Sequence, residues 1–363
     1  MRVMSFVLAA TLLTTAPAAE LGDSTIGFTI TQTPAAAQVG GLSQAGFEAF
    51  LPELRARALG GGVRPDTVAR VFPSLTFSSR TVELDRAQPG GTPGFTPTTT
   101  IAPFAPYRAR HLNASLINRG RSRYSDNYAR LQDISRRYGV PPEILVAIWG
   151  KESSYGSYTG DFDLLNSLAS LAYEGRRRDL FATEFVATLK MLERGYPRDR
   201  LKGSWAGATG QPQFLPSVYL QVAADGDGDG RADIWGNQAD TWASIANYFR
   251  QAGWRPGLGW GMAVSVPAGF NRDAVASGLR APRCTRVHER HSRWLPVSEW
   301  RRLGITPAGS NRLPDSALAT LLEPDGPGAT AYLLTTNYRT ILDYNCSNFY
   351  GLTVGLLADS IRG

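Results

Sequence analysis

The sequence predicts a mainly α-helical α+β fold: a helical body with a small β-containing insertion ahead of its last helix. Two observations predict it. Between residues 47 and 253 apolar side chains recur at helical spacing, in segments opened by Pro or Asp and closed by Gly. From about residue 261 the pattern changes to short β-prone pieces, Ala263-Val264-Ser265-Val266 and Tyr332-Leu333-Leu334-Thr335-Thr336, set among Pro- and Gly-rich turns. A final helical stretch follows over about 336–361. At 363 residues, 43% hydrophobic and 19% charged, the chain is long enough for two or three subdomains. The sequence holds no internal repeat and no heptad run.

In chain order, Met1 to Leu13 carries one positive charge and then a short apolar run, and Ala16-Pro17-Ala18 offers a small-residue cleavage site. This reads as a signal peptide over 1–18, too short to span a bilayer. No cysteine lies nearby to take a lipid anchor, and no later run is long and apolar enough for a transmembrane segment. Residues 19–40 are small and polar, a flexible lead-in. The N-terminal helical region, 41–135, holds an amphipathic helix at Phe47–Leu59 and an extended or looped stretch from Pro89 to Pro106. Residues 107–139 read as helical, ending at Gly139.

Pro141 to Gly156 is the most informative segment. Two prolines open a helix, where their missing N–H groups and fixed φ do no harm, and Gly156 sits where helices commonly stop. On a 3.6-residue period Glu152 shares the apolar face of Ile148, Leu145 and Ile144, whereas Glu143, Ala147 and Lys151 lie elsewhere. A carboxyl on a face meant for burial breaks a local rule, and such breaks mark function. Desolvation and the negative helix end both favour its protonated form. Half protonation at neutral pH needs a shift of roughly 3 units, or about 4 kcal/mol. The competing assignment is an ion-paired or capping glutamate.

Further helices follow at Asp163–Glu174, Arg178–Gly195 and a segment capped by Asp240 and closed by Gly253. Gly203 to Pro216 mixes small residues, which admit a ligand close to the backbone, with Ser204, Gln213, Trp205 and Phe214. Polar edges beside flat apolar surfaces suit a sugar, although a glycine-rich surface loop has the same composition. Asp225-Gly226-Asp227-Gly228-Asp229-Gly230-Arg231 places oxygen ligands at positions 1, 3 and 5 and glycine at 6, as in half an EF-hand, with Arg231 offering a carbonyl. Position 12 is Gly236 rather than the usual Glu, and an ion-free Asp-Gly turn is the alternative. In an exported chain the two cysteines, Cys284 and Cys346, suggest one disulfide, with two buried thiols as the alternative. The net charge of +7 is almost all arginine. With no helix-turn-helix, zinc or RNA-binding signature, nucleic acid is excluded as partner, and an acidic polymer outside the cytoplasm fits better.

The glutamate helix, Ala147 to Gly156, resembles that of the lytic murein transglycosylase B family, where this glutamate is the catalytic acid/base. Ser204-Trp205-Ala206-Gly207 through Gln213-Phe214-Leu215-Pro216 is similar to its second motif, Leu171 to Arg177 to a stretch with a paired arginine, and Asp343 to Tyr350 to a cleft-lining segment. Leu84 to Gln88 is similar to its N-terminal half, so the resemblance spans about 42–363 with motifs in order. Thr209, Val218 and Lys151 depart from the usual residues.

The resemblance implies a lysozyme-like catalytic core over 136–260, a mixed β insertion over 261–335 and a C-terminal helix, 336–363, completing the cleft. It implies cleavage of the β-1,4 bond between N-acetylmuramic acid and N-acetylglucosamine in peptidoglycan without added water, in the periplasm of a Gram-negative cell. Glu152 then acts as acid and base, Ser204 and Asn345 orient it, Gln213, Tyr344 and Tyr350 line the sugar site, and Arg176 and Arg177 meet the acidic peptide stem. No cofactor is required; the metal candidates are Asp225, Asp227, Asp229, Arg231 and, as the late aspartate some members use for a structural calcium ion, Asp240. A hydrolytic muramidase of the goose-lysozyme kind and an inactive wall-binding or scaffold protein are the alternatives.

Overall fold

The computed structural model describes residues 41–88 and 103–363 apart from Leu279 and Pro282. The expected signal peptide, the lead-in and most of the Pro- and Gly-rich stretch lie outside the described residues. The described chain forms two compact units, one from 41–88 with 162–207 and one from 103–161 with 208–363. The span 136–260 is therefore not one continuous unit. Helices Leu164–Glu174 and Arg178–Glu193 fold with the N-terminal helices, because their apolar faces are buried there.

In that first unit, Ser43 starts helix Gln44–Gly60 by accepting from the Gly46 N–H, and Phe47, Phe50, Leu54 and Ala58 recur at helical spacing on its buried side. Phe47 meets Tyr173 edge-on at 5.9 Å and Phe72 meets Phe185 at 5.7 Å, geometries aromatic quadrupoles favour. Phe162–Asp163 pairs antiparallel with Lys202–Gly203. Asp163 then caps Leu164–Glu174 through the Asn166 N–H at 2.8 Å and pairs with Arg198 at 2.8 Å.

The second unit is built around helix Pro142–Ser153. Residues Ile144 to Gly150 are buried on every side, so this is a central helix rather than the one-faced helix its spacing predicts. Helices Ala114–Asp126, Tyr128–Tyr138, Gln238–Gln251 and Asn348–Arg362 enclose it. The helical stretch expected over 107–139 is three helices, Phe104–His111, Ala114–Asp126 and Tyr128–Tyr138. Its last helix ends at Gly139 in a left-handed conformation, as predicted. The final stretch is two helices, Thr336–Tyr344 and Asn348–Arg362, because Ser347 caps the second through the Tyr350 N–H. Asn337, Tyr338 and Ile341 are buried on the first. The helix assigned to an Asp240 cap is capped instead by Asn237, whose side chain accepts from the Ala239 and Asp240 N–H groups.

The two β-prone pieces become neighbouring central strands, Gly261–Ser265 and Ala331–Thr335, of a five-stranded antiparallel sheet. Strand Leu318–Leu322 and the short strands Leu295–Pro296 and Thr306–Pro307 complete it. Met262, Val264, Val297, Trp300, Leu321 and Leu333 give the sheet its own core. His291 ties it to the last helix by hydrogen bonds to Thr320 Oγ1 at 2.9 Å and Asn348 Oδ1 at 2.8 Å. Burial pushes His291 down to about 4 and His288 down to about 3, so both are neutral in the folded chain at pH 7.

Cys284 and Cys346 form a disulfide, with Cα atoms 5.3 Å apart and a sequence separation of 62. A loop of that length is worth roughly 4 kcal/mol through the unfolded chain. Replacing both cysteines by Ala is expected to lower stability by about that amount in a denaturant or thermal unfolding series. An unchanged midpoint would remove the bridge from the stabilising contacts.

Candidate active site

Glu152 lies at the end of the central helix. After Ser153 the chain turns back through three left-handed residues, Ser154 at φ 54°, Tyr155 at 63° and Gly156 at 79°. Two of these carry side chains and are strained, a cost that local packing must offset. The helix thus ends three residues before the predicted glycine. Ser154 N–H donates to Gly150 O at 3.0 Å, and the Tyr155 hydroxyl donates to Leu116 O at 2.8 Å. Gly150 is required beneath it, since a Cβ there would lie 2.5 Å from the Tyr155 ring.

The Glu152 side chain is half-buried, and its Oε1 accepts a 2.5 Å hydrogen bond from the Tyr350 hydroxyl. Burial pushes the carboxyl up to about 7, against the opposing effects of the Tyr350 bond and the Lys151 charge. Burial and the same carboxylate push the Tyr350 hydroxyl well above its usual range, so it stays a donor. The arrangement is a carboxyl that can hold or release a proton at neutral pH, oriented by one phenol.

Several predicted roles change. Tyr344 is fully buried, packed against Phe214, Tyr248 and Phe249, and its hydroxyl donates to Pro212 O at 2.5 Å. It is a post under the loop rather than a sugar contact. Gln213, left-handed at φ 51°, donates its amide to Thr159 O at 3.0 Å and Gly210 O at 2.9 Å, bracing the turn. Arg176 and Arg177 both pair with Asp85, and Arg176 also pairs with Glu174 at 2.7 Å, which ties them to their own unit. Ser204 belongs to that unit too, where its carbonyl accepts from the Gly207 N–H. Tyr350, expected as a sugar contact, supplies the hydrogen bond that orients Glu152. Asn345 is buried, and its Oδ1 has no hydrogen-bond partner among the described residues.

Gln211 escaped sequence reasoning. Its Oε1 accepts from the Trp149 indole at 2.7 Å and its amide donates to Trp235 O at 3.1 Å, clamping the glycine-rich loop to the glutamate helix. A Cβ on Gly156 would lie 2.4 Å from that Oε1, so Gly156 is needed for space as well as for φ. The departure at Thr209 has a partner, since its Oγ1 accepts from the Trp235 indole at 2.8 Å.

Of the five metal candidates, Asp225, Asp227 and Asp229 bring carboxylate oxygens within 4.8 Å of one another. Hard oxygen donors so gathered suit calcium. The Arg231 N–H donates to Asp229 Oδ1 at 2.8 Å, and buried Asp240 accepts from Gly226 and Asp233 N–H groups at 2.7 Å each. Asp240 thus braces the loop through its backbone and stands outside the group of three.

The raised Glu152 pKa has a definite sign in stability. The unfolded carboxyl ionises near 4.5 and the folded one near 7. Between those values the folded chain holds the extra proton, so Glu152 lowers stability progressively as pH rises and by about 3 kcal/mol above pH 7. Glu152→Gln is expected to melt higher than the parent at pH 8, the gap closing towards pH 4. The neutral histidines titrate alike in both proteins, so the difference isolates Glu152. A gap independent of pH would contradict the buried acid.

The Transglycosylase SLT domain family matches residues 46–359. The chain is 31% identical over 283 residues to membrane-bound lytic murein transglycosylase B of Escherichia coli strain K12, covering 73% of this chain and 71% of that protein. Crystal structures give the same likeness. SltB3 from Pseudomonas aeruginosa in complex with NAG-anhNAM-pentapeptide superposes with TM-score 0.76 at 37% identity, over 87% of this chain and 80% of that one. The Escherichia coli lytic transglycosylase Slt35 in complex with calcium does so with TM-score 0.68 at 25% identity, over 86% and 92%. With Glu152 and Tyr350 both inside the matched span, the chain belongs to the transglycosylase SLT domain family and is a lytic transglycosylase.

Proposed function

We propose that the chain cuts peptidoglycan strands between N-acetylmuramic acid and N-acetylglucosamine without water, leaving 1,6-anhydro ends, and that Glu152 alone serves as acid and then base. The observation that carries this is the half-buried Glu152 carboxyl at the end of the central helix, held by the Tyr350 hydroxyl, with desolvation pushing it up to about 7. Protonated Glu152 gives its hydrogen to the leaving oxygen as the C1–O bond breaks. The substrate's acetamido carbonyl stabilises the cation at C1. Carboxylate Glu152 then takes the C6 hydroxyl proton while that oxygen bonds to C1, which restores the enzyme.

Two acidic residues near Glu152 in sequence, Asp163 and Glu174, have other work, as a one-carboxylate reaction allows. Asp163 caps a helix and pairs with Arg198, and Glu174 pairs with Arg86 and Arg176. Two carboxyls flanking the bond would be needed by most hydrolases. The product-like ligand of the Pseudomonas relative, NAG-anhNAM-pentapeptide, agrees with the anhydro outcome. Export to the periplasm, from the N-terminal signal, places the enzyme beside its polymer. A calcium ion at Asp225, Asp227 and Asp229 is proposed as structural, matching the calcium complex of Slt35.

Digestion of purified sacculi followed by mass spectrometry tests the reaction. Products are expected to lack the water that hydrolysis adds, and Glu152→Gln is expected to lower turnover at least 1,000-fold, on the order of removing a positioned acid. Hydrated ends would favour the muramidase instead. Tyr350→Phe is expected to lower kcat about tenfold, roughly one lost hydrogen bond to a charged group, with glycan binding retained. Calcium added after chelator treatment is expected to raise the melting temperature, and an isothermal titration with no heat and no such rise removes the ion.

A further inference from the structure

Lys151 stands next to Glu152 with an unusual set of surroundings. It is half-buried, and its Nζ lies 5.8 Å from the centroid of the Tyr107 ring. That ring lies tilted against His111 at 4.1 Å and meets Phe349 at 5.4 Å. Among the described residues the Lys151 ammonium makes no hydrogen bond and no ion pair. A cation kept in such a place, one residue from an acid that must ionise, acts on that acid through space.

The other charged groups around the helix are engaged elsewhere. Arg119, from Ala114–Asp126, donates to Ser154 Oγ at 2.9 Å and lies over the Tyr155 ring. Arg137 and Arg250, from Tyr128–Tyr138 and Gln238–Gln251, both lie over the Tyr138 ring. Arg362, from the last helix, pairs with Glu143 at the opposite end. Facing Lys151 from Phe104–His111 are Tyr107 and His111, with Arg110 acting on the latter. Facing Glu152 are the hydroxyls of Tyr107, Tyr344 and Tyr350.

We propose that Lys151 is a positioning residue for the reaction: its ammonium, lodged against the Tyr107 ring one residue from Glu152, draws the alkaline edge of activity to lower pH. This rests on Glu152 being the acid. The ammonium favours the carboxylate, so it lowers the pH at which the acid form is lost, while burial pulls the other way. Burial lowers Lys151 itself to about 8, leaving it charged through the neutral range. The two groups thus hold the acid close to the pH at which a proton can be both given and retrieved.

The test is kcat/KM on soluble glycan strands between pH 5 and 9 for the parent, Lys151→Met, Lys151→Gln and Lys151→Arg, with folding checked by circular dichroism. Met and Gln are expected to move the alkaline limb up by about one pH unit, while Arg keeps it near the parent position. A limb that stays put in the folded neutral variants overturns the proposal, as does an Arg variant shifting like Met. Should neither neutral variant fold, the Glu152 carboxyl titration followed by 13C NMR in the parent decides. A second inflection near pH 8, where Lys151 discharges, is expected, and its absence overturns the coupling. Glu152→Gln assayed alongside separates the two readings, since turnover in that variant removes the acid assignment itself.

Discussion

The hydrogen bond from Tyr350 to Glu152 is the interaction on which the rest of the second unit depends. It joins the end of a central helix to the start of the last helix across 198 residues of sequence. Keeping it requires an ordered helix end, and the chain obtains this with the left-handed turn at Ser154, Tyr155 and Gly156. Tyr155 is wedged against Gly150 and Gly120, positions with no room for a Cβ. Strain in the turn is offset by those contacts and by the Trp149–Gln211 bond below. A helix apolar on all sides is suited to this, because four neighbouring helices fix its axis.

The polar residues of the glycine-rich loop serve construction more than recognition. Gln211 and Gln213 spend their amides on backbone carbonyls, and Tyr344 supports Pro212 from beneath. Each satisfies a buried group that would otherwise destabilise the loop. Asn345 is the exception, with a buried oxygen left open. That open group lies in the short non-helical link between the last two helices, beside the disulfide at Cys346.

Electrostatics in this unit run in two directions. Burial raises Glu152, keeping a proton on an acid, and lowers His288 and His291, keeping protons off two bases. Desolvation disfavours the charged form in every case. The histidines stabilise the fold near neutral pH and lose that contribution as acid protonates the unfolded chain, whereas Glu152 weakens the fold as pH rises. Under the proposed function only the glutamate's effect is aligned with catalysis, a local loss of stability at the proposed acid.

By itself the sequence determined the helical class, the switch to β-structure near 261, the unusual standing of Glu152 and the family motifs that surround it. These are local signals, carried by periodicity, Pro and Gly placement and short contiguous motifs. It also placed three aspartates at spacings that a turn could gather. What tertiary structure decided was which polar atoms face one another: Tyr350 at Glu152, Asp85 at the paired arginines, and a backbone carbonyl at Tyr344. It also divided 136–260 between two units and closed the central helix on all sides. Those outcomes depend on packing between segments far apart in sequence, and a side chain's hydrogen-bond partner has no local signature when that partner arrives from another helix.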